Sequence, residues 1–216
     1  MLLAVDIGNT NIVLGVLDGE NLVYSGRFST HIHQTVEECA MNLYSFLNIH
    51  SIGKIDGAII SSVVPALVST VKGAVKLVTG VHALVVGPGI KTGLSIKIDD
   101  PAQLGADLVV GAVAAKEKYP QPTIIFDLGT ATTGTVLDKD GCCIGGMIAA
   151  GVKSSINALS TGTAQLPQID ISAPKKIIGT NTIDCMKSGT VIGTAVVTVL
   201  TVILAISSIL AVLAII

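Results

Sequence analysis

The 216-residue sequence is poor in aromatic and in charged side chains, which make up 3% and 13% of its residues. Its formal net charge is -2 and it contains no cluster of lysine and arginine, so it lacks the basic footprint of a nucleic-acid-binding protein. The motif GxxxxGK[ST] is absent, which excludes a P-loop nucleotide site. We therefore expect no nucleic-acid partner, and a bound nucleotide would need another kind of phosphate site.

Cysteine is also scarce, and its four positions include no CxxC pair. Cys142 and Cys143 are adjacent, a spacing that suits neither a zinc site nor an easy disulfide. The chain begins with only four apolar residues after Met1 and has no basic region there, so it does not begin like a signal peptide. These features predict a cytoplasmic protein with reduced thiols.

Residues 191–216 differ from the rest because they contain no charged side chain. A run of that length meets the usual criterion for a transmembrane helix. Threonine and serine interrupt it, however, and no basic or aromatic flank marks a membrane interface. A membrane-anchored protein is thus an alternative, but we expect no membrane partner. The two other interpretations are a buried helix with a dimer partner and a tail whose sequence is not the natural one.

Glycine, valine, isoleucine and alanine are abundant, as in an α/β protein with buried strands. Apolar runs and turn signals predict the strands of the first part of the chain at 2–6, 12–17, 22–28, 55–60 and 83–86. Helical spacing there predicts helices at 35–47, 66–78 and 103–118. In the second part we predict strands at 123–126, 135–137 and 142–148, and helices at 152–159 and from 182 onward.

The two parts open in the same way. Asp6-Ile-Gly-Asn-Thr-Asn11 and Asp127-Leu-Gly-Thr-Ala-Thr-Thr133 each follow an apolar strand and precede a second strand, a turn and a third strand. This repeat, offset by about 120 residues, predicts an internally duplicated α/β protein with two domains and a central cleft. We expect an N-terminal domain over 1–118 and a C-terminal domain over 119–216, atypical or truncated after about residue 193.

Each acid–glycine turn has the groups that a phosphate and its cation require. Glycine lets the backbone approach an anion closely, the following polar residues donate hydrogen bonds, and the carboxylate binds Mg²⁺ directly or through water. One such turn is equally well explained as a hairpin turn with an Asx-type bond. The second copy favours phosphoryl transfer, which needs mainly positioning and charge neutralisation. Lys91 and Lys153 are further phosphate candidates, although exposed lysines are usually just solvated.

Three further acid or imidazole side chains, those of Asp107, His31 and His33, have alternative interpretations. Asp107 follows Gly105 and Ala106 near the start of an apolar helix, where it is either a general base for a substrate hydroxyl or a first-turn carboxylate favourable to the helix dipole. His31 and His33 flank Ile32, and we interpret them as surface histidines because no third ligand lies at a usual metal-site spacing.

Six segments in a fixed order carry a resemblance to a known family. They are Asp-Ile-Gly-Asn-Thr-Asn (6–11), Ser-Ser-Val-Val-Pro (61–65), Gly-Pro-Gly-Ile-Lys-Thr-Gly-Leu (87–94), Gly-Ala-Asp (105–107), Asp-Leu-Gly-Thr-Ala-Thr-Thr (127–133) and Asn-Thr-x₅-Ser-Gly (181–189). From residue 1 to about residue 193 the chain resembles the type III pantothenate kinases. The resemblance implies the duplicated ribonuclease-H-like fold of actin-like ATPases and a transferase that phosphorylates pantothenate with ATP, the first step of coenzyme A synthesis.

The resemblance also implies roles for individual residues. ATP phosphates and Mg²⁺ would be bound by the first turn and its flanking strand residues, namely Asp6, Ile7, Gly8, Asn9, Thr10, Asn11, Ile12 and Val13. Asp107 would be the catalytic base, and the pantothenate pocket would include Gly105, Ala106, Asp107 and Leu108. Asp127 would hold a monovalent cation, K⁺ or NH₄⁺, and Thr130 would contact ATP. Thr182 would reach pantothenate near a homodimer interface.

The chain departs from the family pattern at three places. Leu108 stands where the family has an arginine that would bind the substrate carboxylate, and Arg27 is the only arginine in the sequence. Ala150 replaces a proline before Gly151, and the uncharged tail replaces a glycine-rich adenosine-binding segment. These departures leave a second hypothesis open, that of a catalytically impaired relative that binds nucleotide or acts as a regulator.

Overall fold

A computed structural model describes residues 1–202 of the chain, which form two compact units. The first unit comprises residues 1–94 and 99–114, and the second comprises residues 95–98 and the described residues from 115 onward.

The first unit is a five-stranded mixed sheet with helices. Its elements are β1 (Leu2–Ile7), β2 (Asn11–Asp18), β3 (Asn21–Ser29), α1 (Val36–Ile49), β4 (Gly57–Ser62), α2 (Pro65–Thr79), β5 (Leu84–Val85) and α3 (Ala106–Lys118), whose last turn belongs to the second unit. The strand order is β3-β2-β1-β4-β5. The first three strands form an antiparallel meander, and β4 and β5 continue the sheet in parallel with β1.

Alternating apolar residues define the buried face of this sheet. Leu3, Val5 and Ile7 of β1 point into a core that α1 and α2 help to form, while Asp6 lies on the exposed face.

Residues with known capping preferences mark the ends of α1 and α2. α1 starts with a capping box in which Thr35 and Glu38 exchange side-chain and backbone hydrogen bonds. In α2, Pro65 occupies the first turn, and the helix ends at Gly80 in the left-handed conformation.

The second unit repeats the antiparallel meander and carries its own helices. Its elements are β6 (Thr123–Leu128), β7 (Ala131–Leu137), β8 (Cys143–Ala150), α4 (Val152–Gly162) and α5, which begins as Thr182–Lys187. α5 passes through a π-helical segment, Ser188–Ile192, and continues as one helix over Thr182–Val202. The strand order is β6-β7-β8.

A short segment before α3 is tied to β8 of the second unit. The backbone of Cys143 donates to the carbonyl of Ser95 at 2.8 Å and accepts from the amide of Lys97 at 2.7 Å. The Lys97 ammonium lies 3.2 Å from the Asp138 carboxylate. Hydrogen bonds from the Cys142 backbone amide and, secondarily, from Lys97 hold the pKa of Asp138 below its ordinary value. These contacts explain why residues 95–98 belong to the second unit.

The α/β class and the duplicated ribonuclease-H-like organisation predicted from the sequence are confirmed, but three element boundaries were wrong by three or more residues. α4 ends at Gly162 rather than at residue 159. α3 begins at Ala106 rather than at residue 103, because Pro101–Gln103 forms a separate 3₁₀ turn capped by the Asp100 side chain. β7 begins at Ala131 rather than at residue 135. The threonines that precede residue 135 were interpreted only as turn residues, although β-branched side chains favour strands and here pair with β6.

α5 is the one helix of the described residues that is long and apolar enough to cross a membrane by length and composition. Its most apolar 18-residue window has a mean hydropathy of 1.5, and 11% of that window is buried. The remainder of the uncharged tail, residues 203–216, lies outside the described residues. A helix of this kind is weak evidence for a membrane span, because core and interface helices have the same composition.

We expect Thr35→Ala to lower the free energy of unfolding by about 1 kcal/mol, because it removes the hydroxyl that caps α1. Urea denaturation of the wild type and the variant measures this difference. Ser45→Ala, an exposed substitution within α1, is the control and should change the free energy by less than about 0.5 kcal/mol. An equal effect of both substitutions would show that the capping box does not stabilise the helix.

Candidate active site

The first acid–glycine turn joins β1 to β2 and is fixed by backbone hydrogen bonds. The Gly8 amide donates to the Asn11 carbonyl at 3.0 Å, which closes the turn. Thr30, directly after β3, donates its hydroxyl to the Gly8 carbonyl at 2.7 Å and its amide to the Thr10 carbonyl at 2.9 Å. The side chains of Asn9 and Thr10 remain exposed. The turn therefore has a defined shape and presents polar side chains to solvent.

The Asp6 carboxylate lies beside this turn, within the paired part of β1. Asp6 is exposed and is flanked by Val13 on β2 and by Ser61 on β4. The Ser61 hydroxyl is buried and has no hydrogen-bond partner among residues 1–202. A carboxylate with an unsatisfied hydroxyl on the next strand suits a hydrated Mg²⁺ ion, which prefers oxygen ligands and keeps several waters. The residues present thus fit the magnesium ion that the sequence predicts.

Asp107 lies in the first turn of α3, and its carboxylate folds back over Gly105. Oδ1 of Asp107 accepts a hydrogen bond from the Leu108 amide at 2.8 Å. A Cβ atom on Gly105 would overlap this carboxylate oxygen and would lie 3.8 Å from Val63. Val63 follows β4 directly and donates its amide to the Ile7 carbonyl at 3.0 Å. These contacts place Asp107 at the same end of the first sheet as the Asp6 turn.

The second acid–glycine turn joins β6 to β7 and rests on helix α4. The Gly129 amide donates to the Ala131 carbonyl at 3.0 Å. The Thr130 carbonyl accepts from the Gly151 amide at 3.1 Å and from the Ser154 hydroxyl at 2.6 Å. A Cβ atom on Gly151 would overlap the Gly129 carbonyl oxygen. The amino-terminal end of α4, which carries a partial positive charge, therefore lies directly against this turn.

Asp127 occupies the same position in β6 that Asp6 occupies in β1. It is exposed and pairs directly with Thr133 on β7. The Thr133 hydroxyl is buried and finds no hydrogen-bond partner in the described part of the chain. A carboxylate and a hydroxyl oxygen on neighbouring strands can coordinate K⁺ or accept hydrogen bonds from NH₄⁺, so these oxygens fit the predicted monovalent cation.

An open cavity of about 660 Å³ adjoins the second turn within the second unit. It lies between β8, α4 and α5, and most of its lining is small or apolar. The residues that line the cavity include Thr132, which is 1% exposed, together with Ala150, Leu159, Gly193 and Val197. This volume is in the range of small-molecule sites.

The other predicted residues have clear positions in their own units. Ile7 and Ile12 are fully buried core residues, so only their backbones are available to a ligand. Thr182 is exposed at the first position of α5, next to its N-cap residue Asn181. Lys91 and Lys153 are both exposed.

The predicted surface histidines, His31 and His33, are exposed on the turn before α1. Within residues 1–202, no group of three His, Cys, Asp or Glu residues is placed to hold a metal ion.

Sequence reasoning missed the hydroxyls of Ser61 and Thr133 as part of the site. Ser61 was noted only as part of a Ser-Ser-Val-Val-Pro segment, and Thr133 only as one of several threonines. The signal that identifies them is strand pairing with Asp6 and Asp127, which requires the register of the sheet.

A family model and curated relatives both match this chain and indicate the same family. A family model described as type III pantothenate kinase matches residues 2–202. A type III pantothenate kinase of Exiguobacterium sp. is 43% identical over 196 residues, which cover 89% of this chain and 77% of that protein. That of Halalkalibacterium halodurans is 44% identical over 191 residues, with 88% and 75% coverage.

A solved structure supports the fold. The crystal structure of a protein assigned to the Baf family of transcriptional activators, from Campylobacter jejuni, aligns with a TM-score of 0.58. The alignment covers 91% of this chain and 77% of that one, at 16% sequence identity. At this identity the likeness concerns the fold alone.

We expect Gly151→Ala to displace the second turn, because the new methyl group would overlap the Gly129 carbonyl. Such overpacking costs roughly 1–3 kcal/mol of unfolding free energy, measurable by urea denaturation. Gly162→Ala, at the other end of α4 with open space around it, is the control and should be neutral or slightly stabilising. Equal stability of the two variants would contradict the packing of α4 on the turn.

Proposed function

This chain belongs to the type III pantothenate kinase family, and from that premise we propose that it transfers the γ-phosphoryl group of ATP to the hydroxyl group of pantothenate. The product is 4′-phosphopantothenate, in the first step of coenzyme A synthesis. The observation that carries the proposal is the first unit's arrangement of Asp6, a backbone-clamped polar turn and Asp107 at one end of one sheet. Phosphoryl transfer depends mainly on such positioning and on charge neutralisation.

The first turn and its flanking strands, Asp6 to Val13, bind the ATP phosphates in this proposal. Thr30 and Asn11 hold the turn closed, so the exposed polar groups of Asn9 and Thr10 are positioned before the nucleotide arrives. Asp6, with Ser61 beside it, would hold the magnesium ion. When bound there, Mg²⁺ neutralises charge on the phosphate oxygens.

Asp107 is the proposed catalytic base. Its carboxylate accepts the proton of the substrate hydroxyl as that oxygen attacks the γ-phosphorus. The hydrogen bond that its Oδ1 accepts from the Leu108 amide favours this orientation of the carboxylate. Gly105, Ala106 and Leu108 would line the pantothenate pocket around it. Thr182, at the start of α5, is a further proposed pantothenate contact.

We propose separate roles for the residues of the second turn. Asp127 and Thr133 would hold K⁺ or NH₄⁺, and Thr130 would contact ATP beside the positive end of α4. The adjoining cavity, with its small and apolar lining, offers space for the nucleoside part of ATP.

We also propose that the protein is a cytoplasmic homodimer. All four cysteines are free thiols, which agrees with a reducing compartment. Four apolar side chains of α5 are 43–58% exposed, namely Val196, Val197, Val199 and Leu200. An apolar surface of this kind supports the proposal that a second protomer covers it.

No observation on the described residues favours the impaired, regulatory alternative over the kinase.

We expect Asp107→Asn to reduce pantothenate-dependent ADP release by roughly 10²–10⁴-fold, because the amide cannot accept the hydroxyl proton. A coupled ADP assay with Mg²⁺ and K⁺ measures the rate. Asp99→Asn, which changes an exposed carboxylate in the segment before α3, is the matched control and should keep the wild-type rate. Wild-type turnover by Asp107→Asn would exclude this residue as the base, and a wild type without pantothenate-dependent turnover would contradict the proposed activity.

Leu108→Arg tests the departure from the family pattern. A guanidinium at this position can form a bidentate, charge-assisted pair with the substrate carboxylate, which leucine cannot. Such a pair is worth about 1.5–3 kcal/mol, so we expect the KM for pantothenate to fall about tenfold or more. Leu108→Met, a nonpolar replacement of similar size, should leave the KM unchanged. An unaltered KM in the arginine variant would indicate that residue 108 does not face the substrate.

A further inference from the structure

A row of four paired residues crosses the first sheet at the Asp6 position. Arg27 on β3 pairs with Val13 on β2, Val13 pairs with Asp6 on β1, and Asp6 pairs with Ser61 on β4. Directly paired residues on neighbouring strands project their side chains from the same face of a sheet. We call these four residues the Asp6 row. Their face is the one opposite the core, since the next residue of β1, Ile7, is fully buried.

Arg27 is the only arginine in the sequence, and it is an exposed member of this row. Neighbouring strands lie about 4.8 Å apart, so the Cα atoms of Arg27 and Asp6 are separated by about 10 Å. A long arginine side chain covers most of that distance, and only Val13, itself 37% exposed, lies between the two. The ion pairs found among residues 1–202 do not involve Arg27.

The chemistry of the row matches an anionic ligand with a cation. The Asp6 carboxylate attracts a metal ion, whereas a guanidinium presents two parallel N–H donors that match the oxygens of a phosphate or a carboxylate. β3 also leads, three residues after Arg27, into Thr30, which clamps the first turn. The guanidinium is therefore attached to the element that positions the proposed phosphate site.

We propose that Arg27 is an oxyanion-binding residue of the active site, an inference that rests on the proposed kinase function. Its ligand is either a phosphate oxygen of ATP or the carboxylate of pantothenate, which share the same binding chemistry. In the second case Arg27 supplies the guanidinium that Leu108 does not. As an alternative, an arginine on an edge strand can serve only to discourage strand pairing between molecules.

Three variants test this inference. Arg27→Gln removes the charge, Arg27→Lys keeps the charge but loses the two parallel donors, and Lys72→Gln removes one exposed charge from α2 as the matched control. Two quantities are measured for each: the rise in melting temperature that MgATP causes without pantothenate, from which its Kd follows, and the KM for pantothenate in the ADP assay. The melting temperature without ligand shows whether each variant is folded.

We expect Arg27→Gln to weaken one of these affinities about tenfold or more, and Arg27→Lys to weaken the same one less. Weaker MgATP binding identifies the phosphate as the ligand, and a raised KM for pantothenate identifies the carboxylate. Lys72→Gln should change neither. If Arg27→Gln leaves both affinities as in Lys72→Gln, the inference is wrong and the arginine only protects the edge strand.

The two proposals fail in different ways. MgATP binding needs no turnover, so a wild type that binds MgATP without phosphorylating pantothenate contradicts the proposed function while the role of Arg27 in nucleotide binding is still measured. Normal wild-type turnover with unchanged affinities in Arg27→Gln contradicts only the inference about Arg27.

Discussion

The site depends first on the closure of the turn between β1 and β2. Gly8 and Asn11 close that turn from within, and one residue, Thr30, holds it from outside with both its hydroxyl and its amide. Because Asp6 lies inside the paired strands rather than in a mobile loop, the register of β1 with β2 and β4 fixes the position of its carboxylate. A phosphate site built on such a fixed backbone loses little entropy when the ligand binds.

The second unit repeats the turn but supports it differently. The Thr130 carbonyl is held by the amide of Gly151 and the hydroxyl of Ser154, so helix α4 replaces the strand end that supports the first turn. The strand that carries the hydroxyl beside the carboxylate also differs between the two units. Ser61 lies on a strand parallel to β1, and Thr133 lies on the antiparallel hairpin partner of β6. The two units thus share the acid–glycine turn and differ in the strand that places a hydroxyl beside its carboxylate.

The sequence predicts the features that depend on neighbouring residues. Asp-x-Gly after an apolar run identified both turns, and Gly-Ala-Asp before an apolar stretch placed Asp107 in the first turn of α3. Local patterns failed where two signals compete, as at Pro101–Gln103, where a proline start and a capping aspartate form a separate turn before the helix.

Features that depend on strand order were out of reach of the sequence. Ser61 lies on β4 and Arg27 lies on β3, and both are distant from Asp6 in the sequence. Only the strand order β3-β2-β1-β4 brings them into one row with Asp6. Position 151 likewise requires glycine because the Cβ atom of any other residue would overlap the Gly129 carbonyl oxygen, which lies more than twenty positions earlier in the chain. Pairing and close approach of distant segments are set by tertiary packing, which a single sequence does not display.

The central claim is that these carboxylates and turns serve phosphoryl transfer to pantothenate. The most direct measurement is mass spectrometry of the products after incubation with pantothenate, Mg²⁺, K⁺ and ATP carrying an isotopic label in its γ-phosphoryl group. The account predicts one labelled phosphoryl group on pantothenate, formed only when ATP, Mg²⁺ and active protein are all present. Recovery of the label solely as inorganic phosphate or unchanged ATP would contradict it.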